Sequence, residues 1–344
     1  MPRRSAPTRR VTIVDVARHA GVSTTAVSKV LRDAYGTSPQ MRSRVRAAID
    51  QLGYRPSAAA RALRGRTYTI GVMLPDVRNP FFADVLDGVA EHLAGTEYQL
   101  LMASSCDDET SEARVTNAMI DRSMDGVLLI APISPRPHLD RVARSVPTVV
   151  IGRHGSSAGY DSVTDDDFTG AGLVVAHLAA LGHRRIAHIE HHETDPVRLA
   201  EMPNALRADG YRHAMREHGL APDVVSTSYN RDGGYLGARQ LLNRGRRPTA
   251  IFAGADVVAL GVLDALAEAG LSAPGDISVA GYDNTTFSAY GPISLTTVDQ
   301  NGHRIGATAA RLLLDRIADP AHPTAQVKLS PRLVMRRSTA PTLN

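Results

Sequence analysis

Several polar side chains between positions 24 and 29 are of the types that hydrogen-bond to a nucleic acid. Hydroxyl groups donate to or accept from base edges, a threonine methyl can contact thymine, and a lysine ammonium can bind guanine or a phosphate. On a helix these side chains lie opposite the apolar residues of the same segment. The polar residues are Thr24, Thr25, Ser28 and Lys29, and the apolar ones are Ala26, Val27, Val30 and Leu31. The alternative is an ordinary solvated helix face.

Two other groups of residues could serve catalysis or metal binding. The aspartates at 165–167 could act with His183 as acid and base, and the run 188–193 (His-Ile-Glu-His-His-Glu) could hold zinc. No nucleophile elbow or phosphate loop accompanies the first group. In the second, strand alternation places only His188 and Glu190 on one face, and the spacing differs from His-Glu-x-x-His. The sequence therefore favours neither an enzyme nor a metal site, and we expect no cofactor.

The helices that position the polar face carry clear start and stop signals. Thr12 can cap a first helix, with Asp15 reaching back to it. Ala17 and Gly21 are small residues placed where two helices meet at a tight turn that requires a positive φ. Ser23 can cap the second helix. This order predicts a helix-turn-helix, which presents the start of its second helix to the major groove.

A third helix is predicted to follow, from its cap at Ser38 and Pro39 to a stop at Gly53. Its apolar stripe faces the core, and its arginines point toward solvent or phosphate. The stripe is Val45, Ala48, Ile49 and Leu52, and the arginines are Arg42, Arg44 and Arg46. A short alanine-rich run at 57–64 should be helical only when packed against something else, because Leu63 is its only large apolar residue.

Charge is divided unevenly along the chain. Residues 1–66 hold 14 Arg and Lys against 3 Asp, a net charge of +11, so the remainder carries −7 of the overall +4. A basic head on an acidic body is typical of nucleic-acid binding confined to one end. The single Cys106 excludes an intramolecular disulfide and fits a reducing cytoplasm. The amino-terminal stretch lacks the apolar segment of a signal peptide, and no apolar run suggests a membrane span.

From position 70 onward, short apolar runs alternate with amphipathic helical stretches, a pattern that predicts parallel sheets covered by helices. Two such series imply two lobes with a cleft between them. The predicted strands are 70–74, 98–103, 126–131 and 148–151, then 185–189, 224–228, 250–253 and 277–280. The final helix at 305–317 and a strand at 326–334 should return to complete the lobes.

The ordered motifs resemble the lactose-repressor-type (LacI/GalR) transcription regulators over nearly the full length. The head carries Val-Thr-Ile-x-Asp-Val-Ala-x-x-Ala-Gly-Val-Ser at 11–23, Val-Ser-x-Val-Leu at 27–31 and Ala-Arg-x-Leu-Arg at 60–64. The body carries Ile-Gly-Val-x-x-Pro-Asp-x-x-Asn-Pro-Phe-Phe at 70–82, Asp-Ile-Ser-Val-x-Gly-Tyr-Asp at 276–283 and Leu-Thr-Thr-Val-x-Gln at 295–300.

The resemblance implies a helix-turn-helix head at 1–55, a hinge helix and linker at 56–68, and a two-lobed α/β core with parallel sheets at 69–344. That core would be similar to periplasmic sugar-binding proteins. The implied DNA contacts are Thr12, Thr24, Thr25, Ser28, Lys29, Ala60 and Leu63. Leu63 would be a minor-groove wedge, for which the alternative is packing on the head or a partner chain. Ala60 is small enough for two hinge helices to touch.

The effector site that the resemblance implies lies in the cleft. Phe81 and Phe82 follow Pro80 at the end of a strand, where ligands bind in open parallel sheets, although one of them should be ordinary core. By resemblance, the Arg207 guanidinium would bind ligand hydroxyls or a carboxylate and Asp283 would accept from the same ligand, with a structural ion pair as the alternative. The other implied contacts are Tyr229, Ala255 and Asp256. Ala255 stands where the family often has Asn, so Asp256 could cap the next helix instead.

Together these features predict a ligand-responsive regulator, most simply a repressor, that binds a near-palindromic operator on double-stranded DNA as a homodimer. Its effector would be a sugar or related metabolite, and no membrane would be involved. Three rivals are a sugar-binding transport protein, an enzyme and a nonspecific architectural DNA protein. The first is disfavoured by the head, and the second by the missing catalytic motifs.

Overall fold

The computed structural model describes residues 11–31, 35–55, 65–106, 108–155, 157–191 and 201–342. Contacts divide the chain into two compact units, Met1–Thr67 and Tyr68–Asn344. The run at 57–64, with the predicted DNA contacts Ala60 and Leu63, lies outside the described residues. The boundaries predicted at 55 and 68 stay predictions.

Three helices form the described part of the first unit: α1 (Ile13–Ala20), α2 (Thr24–Leu31) and α3 (Pro39–Leu52). The predicted caps are present, since Thr12 and Asp15 make a capping box and the Ser23 Oγ accepts from the Ala26 amide at 3.1 Å. Gly21 ends α1 with a φ of 62°, which a side chain would strain. The local sequence therefore fixes where each helix begins and ends.

One predicted orientation in this unit needs correction. Arg44 does not simply face solvent or phosphate, because its Nη2 donates to the carbonyl oxygens of Ala20 and Gly21 at the turn between α1 and α2. Similarly, the Nε of Arg42 donates to the Thr37 Oγ1 at 2.9 Å. These contacts depend on how α3 packs against the turn, which the spacing of the arginines does not reveal.

The first lobe of the second unit is a six-stranded sheet covered by helices. Its strands are β1 (Thr69–Leu74), β2 (Gln99–Ser104), β3 (Gly126–Ile130), β4 (Thr148–Ile151), β5 (Asp161–Asp165) and β11 (Gln326–Leu329), and its helices are α4 (Pro80–Leu93), α5 (Glu109–Asp121), α6 (Arg136–Ser145) and α11 (Gly302–Ala318). The strand order is β11-β5-β4-β3-β1-β2, and every pair is parallel. The carboxyl ends of these strands therefore share one edge.

The second lobe repeats this architecture. Its strands are β6 (Ile186–His191), β7 (Asp223–Thr227), β8 (Ala250–Ala253), β9 (Ser278–Tyr282), β10 (Thr296–Asp299) and β12 (Arg332–Val334), and its helices are α7 (Asp167–Ala180), α8 (Pro203–Glu217), α9 (Arg231–Leu242) and α10 (Asp256–Glu268). The order is β12-β10-β9-β8-β6-β7, and only β12 runs antiparallel to its neighbour among these pairs. The predicted fold class is confirmed.

The chain crosses between the lobes after β5, β10 and β11. The strands near these crossings are the ones that the sequence pattern predicts least well. The strands β5 and β10 were not predicted, and the predicted strand at 326–334 is two strands in different sheets. Strand β5 reads Asp-Ser-Val-Thr-Asp and so lacks an apolar run, yet it is buried throughout. Its Asp161 is buried because both carboxylate oxygens accept from the Arg316 guanidinium, at 2.6 and 2.9 Å. No helix in the described part of the chain is long and apolar enough to cross a membrane.

Candidate functional site

The polar face predicted to contact DNA is accessible on α2. Thr24, Thr25 and Lys29 are exposed, and Ser28 is half-buried. Thr12 is also exposed, and its Oγ1 donates to the Asp15 Oδ2 at 2.7 Å. Exposed hydroxyls at the start of the second helix, with an ammonium in its last turn, are groups of the kind that a helix-turn-helix presents to base edges and phosphates.

A cavity of about 650 Å³ lies between the two lobes of the second unit. The ends of parallel strands open onto it from both sides, which is where ligands bind in such sheets. Six of the seven residues predicted to contact an effector line it, namely Phe81, Phe82, Arg207, Tyr229, Ala255 and Asp283. The first lobe contributes the two phenylalanines, and the second lobe contributes the rest.

Arg207, on α8, is the buried cation of this cavity. Its Nε donates to the Asp167 Oδ1 at 2.6 Å, its Nη1 donates to the Gly254 carbonyl at 2.8 Å, and its Cζ lies 3.8 Å from the centre of the Tyr282 ring. Burial opposes the charge of this guanidinium, but Asp167, Asp283 and the two tyrosines around it together outweigh burial and raise the arginine pKa. Arg207 is therefore a fixed charge whose orientation is set before a ligand arrives.

Two further carboxyl groups of the lining face Arg207. The Asp283 Oδ1 lies 3.7 Å from the Arg207 Nη1 and accepts from the Gln300 Nε2 at 2.6 Å, while the Asp165 Oδ2 accepts from the Tyr282 hydroxyl at 2.7 Å. Burial raises the pKa of both Asp165 and Asp283 well above its usual range. The shift favours the protonated form relative to an exposed carboxyl, and a carboxyl in that form can both donate to and accept from an uncharged ligand.

Asp167 behaves in the opposite way. Burial would raise its pKa, but Arg207 and His154 outweigh burial and lower it. Its Oδ2 lies 2.7 Å from the His154 Nε2. From their residue types alone, Asp165 and Asp167 are candidates only for catalysis, and Gln300 is not singled out although it ends the motif at 295–300. These residues lie where the chain crosses between the lobes, a position that the sequence pattern does not reveal.

Aromatic rings line the apolar part of the cavity. Phe81 and Phe82 pack edge to face with ring centres 5.8 Å apart, and Phe81 is the more buried of the two, as expected for a residue that also belongs to the core. Tyr229 packs against His191 with ring centres 5.5 Å apart. A Cβ atom at position 254 would lie 1.8 Å from the Tyr229 hydroxyl, so glycine at 254 allows this tyrosine to take its position.

Asp256 is the predicted effector contact that lies outside the cavity lining. It is fully buried, and its carboxylate accepts from the Thr285 amide at 2.8 Å, from the Thr297 Oγ1 at 2.6 Å and from the Ser288 hydroxyl. Asp256 is also not the N-cap of α10. It is the first residue of that helix, and the N-cap is Ala255, which makes no side-chain capping hydrogen bond. We therefore assign Asp256 to the support of the 285–288 loop and not to ligand contact.

The acid–base and zinc alternatives are not supported by the described structure. His183 contacts Thr249, Ser278 and the Ala340 carbonyl, which anchor the carboxyl-terminal segment, and not the aspartates at 165–167. His188 is buried between the rings of Tyr211 and Phe252. Among the described residues no group of three or more His, Cys, Asp or Glu side chains could hold a metal ion, and positions 192 and 193 lie outside those residues.

A helix-turn-helix joined in one chain to a two-lobed core with an inter-lobe cavity defines the class of ligand-responsive DNA-binding transcription regulators. Comparisons with known proteins agree. Residues 12–57 match the bacterial regulatory proteins of the lacI family, and residues 175–339 match the periplasmic binding protein-like domain. The ribose operon repressor of Escherichia coli K12 is 35% identical over 333 residues, which cover 95% of this chain and 99% of the repressor.

Two solved structures extend the similarity to the fold. The lac repressor dimer bound to operator and the anti-inducer ONPF has a TM-score of 0.79, with 26% identity over 96% of this chain and 100% of that one. A LacI family regulator from Enterococcus faecium with bound ribose has a TM-score of 0.68, with 31% identity over 80% of this chain and 99% of that one. The chain belongs to the lacI family of bacterial regulatory proteins. It is a DNA-binding transcription regulator and not an enzyme.

Proposed function

We propose that this protein is a cytoplasmic repressor that binds a near-palindromic operator as a homodimer and changes its operator affinity when a small molecule occupies the inter-lobe cavity. The observation that carries the proposal is the composition of that cavity, in which Arg207 and Asp283 from the second lobe face Phe81 and Phe82 from the first. A ligand that contacts both lobes stabilises the arrangement in which they are close together.

The cavity chemistry favours a sugar or a related metabolite such as a nucleoside. Asp165, Asp283 and Gln300 supply several acceptors and some donors, which suits a ligand with vicinal hydroxyl groups. The phenylalanine rings and Tyr229 offer apolar surface against which a ring can pack. The ribose bound to the Enterococcus faecium relative is consistent with this class of ligand.

The proposed DNA contacts in the described part of the head are Thr12, which caps α1, and Thr24, Thr25, Ser28 and Lys29 of α2. Ala60 and Leu63 are proposed from the sequence resemblance. Two heads related by a two-fold axis would each read one half-site, so the operator should be close to palindromic. Effector affinity and operator affinity must then be coupled reciprocally.

A footprint of the purified protein on the DNA upstream of its own coding region, at controlled salt and with a panel of sugars and nucleosides, tests the proposal. We expect two protected half-sites and at least one compound that abolishes or strengthens the protection. A random duplex of the same length is the control for nonspecific binding. Protection that is equally strong on random DNA would contradict the assignment as an operator-specific repressor.

A further inference from the structure

A charged cluster separate from the Arg207 contacts joins the two lobes. Glu201 immediately precedes α8 of the second lobe, whereas Arg136 begins α6 and Arg153 follows β4, both in the first lobe. The Glu201 Oε2 accepts from the Arg153 Nε at 3.0 Å and from its Nη2 at 2.9 Å, and the Oε1 pairs with the Arg136 Nη2. The His154 amide also donates to the Glu201 carbonyl at 2.8 Å.

The backbone at position 155 makes room for this cluster. Gly155 has a φ of 102°, and a Cβ atom there would lie 2.5 Å from the Arg136 Nη2 and 3.1 Å from the Glu201 Oε1. The cluster also lies beside the cavity, because Gly152 on one side and Met202 and Pro203 on the other are lining residues. A change in this cluster would therefore move the wall of the ligand site.

Rupture of the cluster would leave part of the hydrogen bonding of each charged group in place or replaceable by water. Arg153 is only 5% exposed, but its Nη1 donates to the carbonyls of Pro132 and Ser134 in its own lobe. Arg136 and Glu201 have side chains that are 39% and 22% exposed, so water can replace their mutual contact. Because part of the lost hydrogen bonding can be replaced in each lobe, the cluster is suited to a reversible conformational change.

A chain of contacts links the cluster to the proposed ligand contact. His154 joins it through its backbone to Glu201 and through its Nε2 to Asp167, and Asp167 pairs with Arg207. A ligand that shifts Arg207 would therefore act on His154 through one intermediate side chain, that of Asp167. Such a chain becomes an allosteric route only if it biases a two-state element.

We propose that Arg136, Arg153 and Glu201 form an inter-lobe clasp whose formation and rupture set the balance between closed and open lobes. This inference rests on the proposed function for its link to the effector, since a ligand that contacts both lobes would favour the closed form with the clasp made. Without ligand, the clasp favours the closed form together with the other inter-lobe contacts, His154 to Asp167 and Tyr282 to Asp165, so its loss shifts the balance toward the open form.

The test measures lobe separation in the full chain without any ligand. Spin labels are placed at two exposed positions, the native Cys106 in the first lobe and Glu217→Cys in the second. The labelled subunits are diluted with unlabelled Cys106→Ser chains so that distances within one subunit dominate. Pulsed electron resonance then gives the distance distribution. Glu201→Gln should raise the ratio of open to closed forms on the order of tenfold.

A matched control is Glu268→Gln, which breaks the 2.8 Å ion pair to Arg239 inside the second lobe. It should leave the distance distribution unchanged. Arg136→Gln should open the lobes by itself but add little to Glu201→Gln, because both remove the same contact. A distribution for Glu201→Gln that matches the wild-type one would overturn the clasp.

The outcome is separable from that of the proposed function. If Glu201→Gln opens the lobes while no compound in the panel alters the footprint, the clasp stands and the effector assignment fails. If a compound alters the footprint while the lobe distances ignore both clasp variants, the effector assignment stands and the clasp is wrong.

Discussion

Arg207 and Asp167 form a buried ion pair, Nε to Oδ1 at 2.6 Å, on the floor of the cavity between the lobes. Both side chains are almost entirely buried. Asp167 begins α7 directly after the first lobe crossing, and Arg207 lies on α8, so the pair joins the ligand cavity to the hinge. A ligand that contacts Arg207, as we propose, would therefore act on the segment that joins the two lobes.

Replacing Arg207 with Ala should abolish the response to the effector while leaving operator affinity within about threefold of wild type, since the head is a separate unit. Removing one partner of a buried pair also costs stability, on the order of 3 kcal/mol. Thermal unfolding should therefore accompany the operator titrations, and Arg207→Lys, which keeps the charge, is the control. An Arg207→Ala protein that is folded and still responds normally would show that the pocket is assigned wrongly.

Gly254→Ala should weaken effector binding on the order of tenfold, because the added methyl would displace Tyr229 from the cavity wall. Calorimetry with a compound that is active in the footprint provides the measurement. Gly245→Ala is the matched control, since a Cβ there meets no atom within 4 Å. Equal affinities for the two variants would remove Tyr229 from the site.

Lys29→Ala should weaken operator binding and reduce the slope of log affinity against log salt by about 1, as expected for the loss of one phosphate contact. Lys328→Ala removes the only other lysine, which pairs with Asp166 at 2.8 Å in the second unit. Its salt slope should equal that of the wild type. If the Lys29 variant shows the same slope but a changed base preference, the lysine contacts a base and not a phosphate.

Leu63→Ala should reduce both operator affinity and DNA bending without changing effector affinity, because an inserted leucine recovers its unstacking cost of a few kcal/mol through the bend. Gel mobility of circularly permuted operator fragments measures the bend. Leu63 lies outside the described residues, so this prediction depends on the sequence resemblance. An unchanged bend angle with weakened affinity would favour the alternative, in which Leu63 packs on protein.

Acid should destabilise the second lobe through His188. Burial lowers the pKa of this imidazole from 6.5 to about 3, so its neutral form is the folded one. As the pH falls below 6.5, His188 becomes protonated in the unfolded chain but stays neutral in the folded protein. The free energy of unfolding therefore decreases progressively until the pH reaches the folded pKa of about 3. Between pH 6.5 and 5 this costs roughly 2 kcal/mol.

Urea unfolding at several pH values checks the sign and size of this effect. His188→Gln should flatten the acid dependence of the free energy of unfolding, whereas the same change at the exposed His92 should not. A His188→Gln protein with the wild-type slope would assign the acid sensitivity to other groups, such as the buried His183.

Much of the head could be predicted from the sequence because its boundaries depend on neighbours. The caps at Thr12, Ser23 and Ser38 and the positive φ at Gly21 involve groups within three or four residues of each other. Most of the core strands could be predicted for a similar reason, since a buried parallel strand needs a short apolar run. Their carboxyl ends then locate the cleft in which six of the predicted effector residues lie.

The remaining features required the tertiary structure because they join residues far apart in the chain. The buried Asp161 of β5 is paired with Arg316. The carboxylate of Asp256 is bound by Thr285, Ser288 and Thr297 outside the cavity lining. Burial acts to raise the pKa of both Asp165 and Asp167, and the net shift is downward only for Asp167, which contacts Arg207 and His154 directly. Local sequence determined the elements and the edge at which a ligand would bind, whereas long-range packing decided which charges face that ligand and which hold the lobes together.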